Sequence, residues 1–405
     1  MDSQSQSPAS LALAEQILAR HFGSGLRLAL QLGPAGGSQR STVLRCQVLD
    51  GPSAAPPSMI LKQVNLDSGQ MFKVDSLDQS AQAFLNEYAS LTFLTRLADE
   101  GHELIAPRLY GADSTAGLLV MEDLGQGKSL VEPLLGDDRA AADAALDAYF
   151  RTLGQLGALT HPRRAGYWEI RDQLGPSTPY MRPNLVDEQA ALQRYLAIVC
   201  AATGIAPAAG AAADLVEAAR FNATPDPFSA LSQSDTCPDN CLREGDWMRL
   251  LDFEWGWVRN AINDGARARS NFPTCWCVYR LPRETIRRVE TIYRAELASG
   301  CPAASDDALF NRELAKACAS WALASFEFYA EVGAFWEQDS PWGTSTTRQR
   351  AIARLELLAE TTAEFGQFEA LGATAAMLAR KLQEQWPEVE PMQLYPAFRT
   401  SSEIL

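Results

Sequence analysis

Residues 231–242 read Leu231-Ser232-Gln233-Ser234-Asp235-Thr236-Cys237-Pro238-Asp239-Asn240-Cys241-Leu242, and a little further on stands Leu250-Leu251-Asp252-Phe253-Glu254. Asp235 and Asn240 have D-x-x-x-x-N spacing. Arg243-Glu244-Gly245-Asp246 has turn composition and Trp247–Leu251 has strand composition. A hairpin through Glu244–Asp246 is expected to fold Asp252 back beside Asn240. One carboxylate, one amide and a second carboxylate would then converge. Phosphoryl transfer needs such a set: Asp235 accepts the proton of an attacking hydroxyl, while Asn240 and Asp252 hold Mg2+ on the phosphates. The plainer reading is a loop of turn-formers followed by a hairpin that happens to end in Asp. Residues upstream decide between the two.

In Ile60-Leu61-Lys62-Gln63-Val64 the strand period of two puts Ile60, Lys62 and Val64 on one face. A lysine among apolar neighbours is costly unless an anion meets it, although a strand-edge lysine can also snorkel. Phe84, Glu87, Leu91 and Leu94 are spaced as one helix stripe, so the Glu87 carboxylate also needs a partner. Lys62 is the nearest candidate, and a strand lysine paired with a helix glutamate is how kinases hold ATP phosphates. Gly36-Gly37-Ser38 lies between two strands, which excludes a Walker loop or a Rossmann turn, since both open a helix. It suits a hairpin whose N–H groups cover phosphates, or an ordinary turn.

The chain has 405 residues, 47% of them hydrophobic and 21% charged, with a net charge of −15. That length predicts two lobes. The negative charge argues against a nucleic-acid partner. There is no apolar run of membrane-spanning length and no signal-peptide pattern at Met1–Ser10, so a cytoplasmic protein without a membrane partner is expected. Eight scattered cysteines are expected to be reduced. Cys237, Cys241, Cys275 and Cys277 lack the spacing of zinc knuckles and read as buried small hydrophobes, with a metal left open. An amphipathic helix is expected around Leu11–Phe22, and strand patterns run from Leu26 to Val64 and over Gly117–Met121. A helix is expected at 76–98, with Ser76 and Gln79 as a capping box. Beyond Asp123-Leu124-Gly125 the pattern is helical over Ala141–Thr160, Glu188–Cys200, Ala212–Phe221, Arg283–Ala298, Asp306–Phe335 and Thr346–Gln385.

With these residues in this order, the sequence resembles the aminoglycoside phosphotransferase and choline kinase-like family from about Leu26 to Asp264. The resemblance is sharpest at Ser234-Asp235-x-x-Pro238-x-Asn240 and Leu250-Leu251-Asp252-Phe253-Glu254. It implies an α+β, protein-kinase-like bilobal fold, with an antiparallel-sheet N-lobe and a mainly helical C-lobe. The expected divisions are a tail and helix over 1–23, a nucleotide-binding N-lobe over 24–122, a hinge over 123–128 and a helical C-lobe over 129–405. It further implies ATP and Mg2+ as cofactors and a small-molecule hydroxyl as acceptor. Gly36, Gly37, Ser38, Lys62, Glu87 and Glu122 would serve the nucleotide, Asn240 and Asp252 the metal, Asp235 catalysis, and Asp264 would be a structural acid. The family loop usually reads His-Gly-Asp, and this chain has Gln233-Ser234-Asp235. A kinase-like protein that binds nucleotide with weak or no turnover is therefore the alternative. A protein kinase is disfavoured because no Ala-Pro-Glu motif follows Asp-Phe-Glu. Trp255, Trp257, Trp276 and Tyr279 read as core or as an acceptor platform. The acceptor's identity, ATP against GTP, and the oligomeric state stay open.

Overall fold

The computed structural model describes residues 7–31, 40–65, 72–331 and 334–399. In chain order its first elements are α1 (Ser7–Phe22), β1 (Arg27–Leu30), β2 (Ser41–Asp50), β3 (Ser58–Val64), α2 (Gln79–Asp99), β4 (Leu109–Asp113) and β5 (Leu118–Glu122). Helices α3 (Val131–Leu135), α4 (Arg139–Thr160), α5 (Arg164–Leu174), α6 (Leu185–Thr203) and α7 (Ala211–Ala223) follow. Then come β6 (Ser229–Ser232), β7 (Cys241–Glu244), β8 (Trp247–Leu250), β9 (Trp257–Asn260) and α8 (Ile262–Gly265). The chain ends in α9 (Arg283–Ala298), α10 (Asp307–Glu331), α11 (Thr347–Phe365) and α12 (Glu369–Gln385). An antiparallel sheet with a mainly helical remainder is the α+β, kinase-like arrangement the sequence predicts. Among the described residues no helix is long and apolar enough to cross a membrane.

Two compact units divide the chain. The first comprises residues 1–127 with Ala165–Thr178 and Arg249–Trp257. Its sheet has the order β1-β2-β3-β5-β4, and each neighbouring pair in it is antiparallel. Lys62 sits on the central strand β3, opposite Val43 on one side and Leu119 on the other. Met59 and Leu61 point to the other face, where they join Ala14, Ile17 and Leu18 of α1 in one apolar cluster. The alternation of β3 is thus satisfied on one side by hydrophobic burial, and the lysine is left on the opposite side.

Helix α2 starts later than the Ser76–Gln79 box predicts. Asp78 is the N-cap, its carboxylate accepting from Ala81 N at 2.8 Å, while Ser76 Oγ accepts from Asp78 N at 3.1 Å. A charged acceptor directly before the first turn also meets the helix dipole, an advantage the serine lacks. Asp78→Ala is expected to lower stability by about 1 kcal/mol, read as a lower urea midpoint at unchanged slope. The guanidinium of Arg171, fully buried, binds this helix to α5. It donates to Asn86 Oδ1 at 3.1 Å, Gln82 Oε1 at 2.7 Å, and the carbonyls of Gly175 and Pro176. Asn86 in turn donates to the Glu254 carbonyl at 3.2 Å. These bonds explain why two remote segments group with the sheet.

The second unit holds residues 128–164, 179–248 and 258–405. Its main core gathers Leu196, Leu215, Leu323, Leu355 and Leu378 from α6, α7, α10, α11 and α12. The long helix expected over Thr346–Gln385 is two helices, because Gly366 takes φ 60° and caps α11 with its N–H on Thr362 O. A glycine just past the last helical residue stops a helix at no steric cost. The patch at 240–252 is the β7–β8 hairpin, as expected. Strand β4, the β6–β9 pair and α5 were not legible as elements.

Candidate active site

In the sheet unit, Lys62 Nζ lies 2.6 Å from Glu87 Oε2 and 2.7 Å from Asp252 Oδ1. Helix α2 carries Glu87 to the lysine. The chain after β8 brings Asp252, anchored by the bond from Asn86 to the Glu254 carbonyl two residues on. Arg40 pairs with the Glu254 carboxylate, and its guanidinium lies 5.4 Å from the ring centre of Trp255. Arg40, Lys62, Phe84, Glu87 and Glu254 line one cavity. Three carboxylates thus face two cations. Desolvation alone would favour a neutral Lys62, but the Coulombic pull of Glu87 and Asp252, with hydrogen bonds to both, holds its ammonium well above the usual lysine range. Burial pushes the Glu87 carboxyl up, to about 7, against the pull of Lys62 and with Asp252 and Glu254 adding to the rise. Burial likewise raises Glu254, reinforced by Asp252. The excess of acid over base is an environment that favours a further cation.

Asp252 has φ 59°, a left-handed backbone that a non-glycine residue adopts at some cost. Only its Oδ1 is engaged by Lys62; its second oxygen has no hydrogen-bond partner among the described residues. That leaves one carboxylate oxygen for a hard cation, the donor type Mg2+ takes.

In the helical unit, Asp235 is held by its own loop and by Thr274, remote in sequence. Its carboxylate accepts from Thr274 Oγ1 at 2.6 Å, Cys237 Sγ at 3.2 Å and Asn240 Nδ2 at 3.2 Å. Asn240 Nδ2 also donates to the Asp235 carbonyl at 2.9 Å, and Asn240 Oδ1 has no hydrogen-bond partner among the described residues. The amide oxygen is the atom a metal would use. Ser234 has φ 65°, where a glycine would sit without strain and serine pays roughly 1–2 kcal/mol. Gln233 is fully buried and donates to the Asn240 carbonyl at 2.9 Å, closing the loop. Asp264, nearly fully buried in α8, accepts from Ser232 Oγ at 2.7 Å, and Ser232 Oγ accepts from Ser234 N at 3.0 Å. Burial raises its carboxyl above the usual range, opposed by the Ser232 bond and by Arg267.

Of the residues expected from sequence, Lys62, Glu87 and Asp252 come together in one unit, and Asp235 and Asn240 in the other. Gly36, Gly37 and Ser38 lie outside the described residues. The Glu122 side chain accepts from Arg249 Nη2 at 2.7 Å and from Arg108 N at 3.0 Å, which ties the end of β5 to β8 and β4. Trp257 is buried, Tyr279 packs edge-on against Tyr395 at 5.4 Å, and Trp276 is exposed with its Nε1 on Asp239 Oδ2 at 2.9 Å. Sequence reasoning missed Arg40, Thr274 and Arg267. Arg267 is almost fully buried, lies 4.2 Å over the Trp321 ring, and its three nitrogens find no hydrogen-bond acceptor among the described residues. Thr274 carries no sequence signal at all, because its contact spans 39 positions.

No protein-family model matches the sequence, and no curated protein matches it. Solved structures do. The chain is similar to a choline kinase from Cryptosporidium parvum Iowa II, at 9% identity over 93% of this chain and 96% of that one, with a TM-score of 0.46. It is similar to a choline/ethanolamine kinase family protein from Mesorhizobium loti, at 16% identity over 91% and 99% of the two chains, TM-score 0.44. A thermostable mutant of aminoglycoside phosphotransferase APH(4)-Ia, in complex with ADP and hygromycin B, matches at 11% identity over 91% and 98%, TM-score 0.39. These are the two groups the sequence motifs resemble.

Proposed function

We propose that this protein is an ATP- and Mg2+-dependent phosphotransferase that moves the γ-phosphoryl group to a hydroxyl of a small molecule of aminoglycoside-, choline- or sugar-like kind. The observation that carries the reading is the ammonium of Lys62, shared by Glu87 at 2.6 Å and Asp252 at 2.7 Å on the sheet unit. A buried ion pair is weak evidence of a stability role, since its desolvation offsets most of the attraction. A lysine fixed by a helix carboxylate, with a second carboxylate half engaged, supports instead a role toward phosphate and metal. Lys62 would contact the phosphates, and Asn240 and Asp252 would hold the Mg2+, which supplies charge neutralisation on the phosphate oxygens when bound. Asp235 would orient the acceptor hydroxyl and take its proton. The segment Met121–Gln126 would meet the adenine through main-chain groups, with Glu122 at its start, and Gly36, Gly37 and Ser38 would cover the phosphates.

The strained φ of Ser234 favours a second reading, a nucleotide binder with little turnover. One assay separates the two: ADP release from ATP, with and without Mg2+, across hydroxyl-bearing metabolites and antibiotics. Acceptor-stimulated, Mg2+-dependent release is expected, and Lys62→Ala should raise the KM for ATP about tenfold or more, as expected for losing a charge-assisted phosphate contact. Nucleotide binding without release for any acceptor would leave the second reading.

A further inference from the structure

Two side chains of the Asp235 loop and one from the segment at Cys275 offer soft and hard donors to one point. The Sγ atoms of Cys237 and Cys275 and a carboxylate oxygen of Asp239 all lie within 4.8 Å of one another. We propose that Cys237, Asp239 and Cys275 form a binding site for a thiophilic divalent ion of the zinc type, separate from the Mg2+ residues. Zinc bonds of about 2.3 Å to sulfur and about 2.0–2.2 Å to oxygen put tetrahedral ligands roughly 3.5–3.8 Å apart. Side-chain adjustment alone can reach that from the present spacing. The backbone around the ligands is held. Asn240 N donates to the Cys237 carbonyl at 3.0 Å, and Cys275 N to the Phe272 carbonyl at 3.1 Å. The fully buried Arg350 donates through Nη1 to the Cys275 carbonyl at 2.8 Å. Trp276 Nε1 holds Asp239 Oδ2 at 2.9 Å, and Asp239 Oδ1 lies 3.9 Å from Cys275 Sγ. A carboxylate oriented by its second oxygen is how ligating carboxylates are kept in place.

Both thiols are buried and Asp239 is exposed, so the ion has an approach from solvent on the carboxylate side. Two thiolates and one carboxylate select a borderline-soft ion over Mg2+, which needs hard oxygen ligands. Binding replaces both S–H protons, which leave to solvent, and gives a complex of two Zn–S bonds, one Zn–O bond and a fourth position for water. The Cys237 proton now donated to Asp235 Oδ1 would be lost, so occupancy would also alter the hydrogen bonding of Asp235. Cys277 Sγ is 3.0 Å from Cys275 Sγ but outside the three-donor group, and the Cys241 thiol is directed to the Pro238 carbonyl at 3.4 Å.

The test is titration of the reduced full-length chain with Cd2+ in excess Mg2+, followed by the thiolate-to-metal ultraviolet band, with Zn2+ as competitor. One equivalent is expected to saturate the band and Zn2+ to displace it. Cys237→Ser with Cys275→Ser should remove it, Asp239→Asn should weaken Cd2+ about tenfold or more, and Cys277→Ser, like Cys46→Ser on β2 of the sheet unit, should leave it. If the double variant does not fold, Asp239→Asn, at an exposed position, carries the test. No saturation at one equivalent, a band that survives the double variant, or a band lost in Cys277→Ser but unchanged in Asp239→Asn would overturn the proposal. The readout is binding, so it stands or falls apart from phosphoryl transfer.

Discussion

Replacing Asp252 by alanine is expected to abolish Mg2+-dependent turnover while leaving Lys62 paired with Glu87. The carboxylate has one oxygen on Lys62 Nζ at 2.7 Å and one without a hydrogen-bond partner among the described residues. On the proposed reading its removal would take a negative ligand from the metal, and it leaves the buried ion pair of 2.6 Å in place. A bound metal contributes several kcal/mol of transition-state charge stabilisation, and a loss of about 4 kcal/mol corresponds to about a thousandfold in rate. Alanine at φ 59° lacks the short polar side chain that lets aspartate tolerate the left-handed region, so the alanine variant alone would confuse stability with chemistry. Asp252→Asn removes that ambiguity, because asparagine tolerates the left-handed region and keeps the shape. Both variants should lose turnover at every Mg2+ concentration, with the asparagine variant melting close to the parent. Full activity in either would remove Asp252 from the metal site.

Strand and helix periodicity made Lys62 and Glu87 legible as partners, because each raised the same question, where a buried charge finds its opposite. That question has a local signature: an apolar face interrupted by one ion. Arg40 with Glu254 was not legible for the opposite reason, since neither lies in a periodic stretch and the pair spans 214 positions. The Asp235 loop showed its acidic and amide groups through spacing, yet not the donors that hold the carboxylate, because Thr274 and Cys237 read as ordinary residues. The capping of α2 failed on competition between neighbours: Ser76 and Asp78 both cap in principle, and the charged acceptor next to the first turn prevails. The single helix expected over Thr346–Gln385 failed at one glycine, because helical composition continues on both sides of Gly366. In each case the missed feature depended on contacts remote in sequence or on which of two adequate local groups prevailed.

Asp235→Asn is expected to leave nucleotide binding nearly intact and to cut turnover by about 10²-fold or more. A hydroxyl nucleophile must be aligned with the γ-phosphorus, and its proton must leave as the new bond forms. On the proposed reading Asp235 would do this, and three donors fix its carboxylate, with Thr274 Oγ1 at 2.6 Å and Cys237 Sγ at 3.2 Å on one oxygen and Asn240 Nδ2 at 3.2 Å on the other. A loose transition state demands little basicity, so much of the effect is positional. Asparagine keeps the size of the side chain but turns one acceptor oxygen into a donor amide. That amide faces either the Thr274 hydroxyl and Cys237 thiol, both of which must then turn to accept, or the Asn240 amide, where donor opposes donor. On the proposed reading the variant would lose the proton acceptor and part of its alignment together. Thr274→Val separates the two losses: it removes one aligning bond, keeps the carboxylate, and should cost much less than Asp235→Asn. The measurements are ATP affinity and turnover for both variants with one acceptor. Parent-like turnover in Asp235→Asn would exclude it as the proton acceptor. Lost nucleotide binding would make it a structural or metal residue, and equal losses in the two variants would assign it to alignment alone.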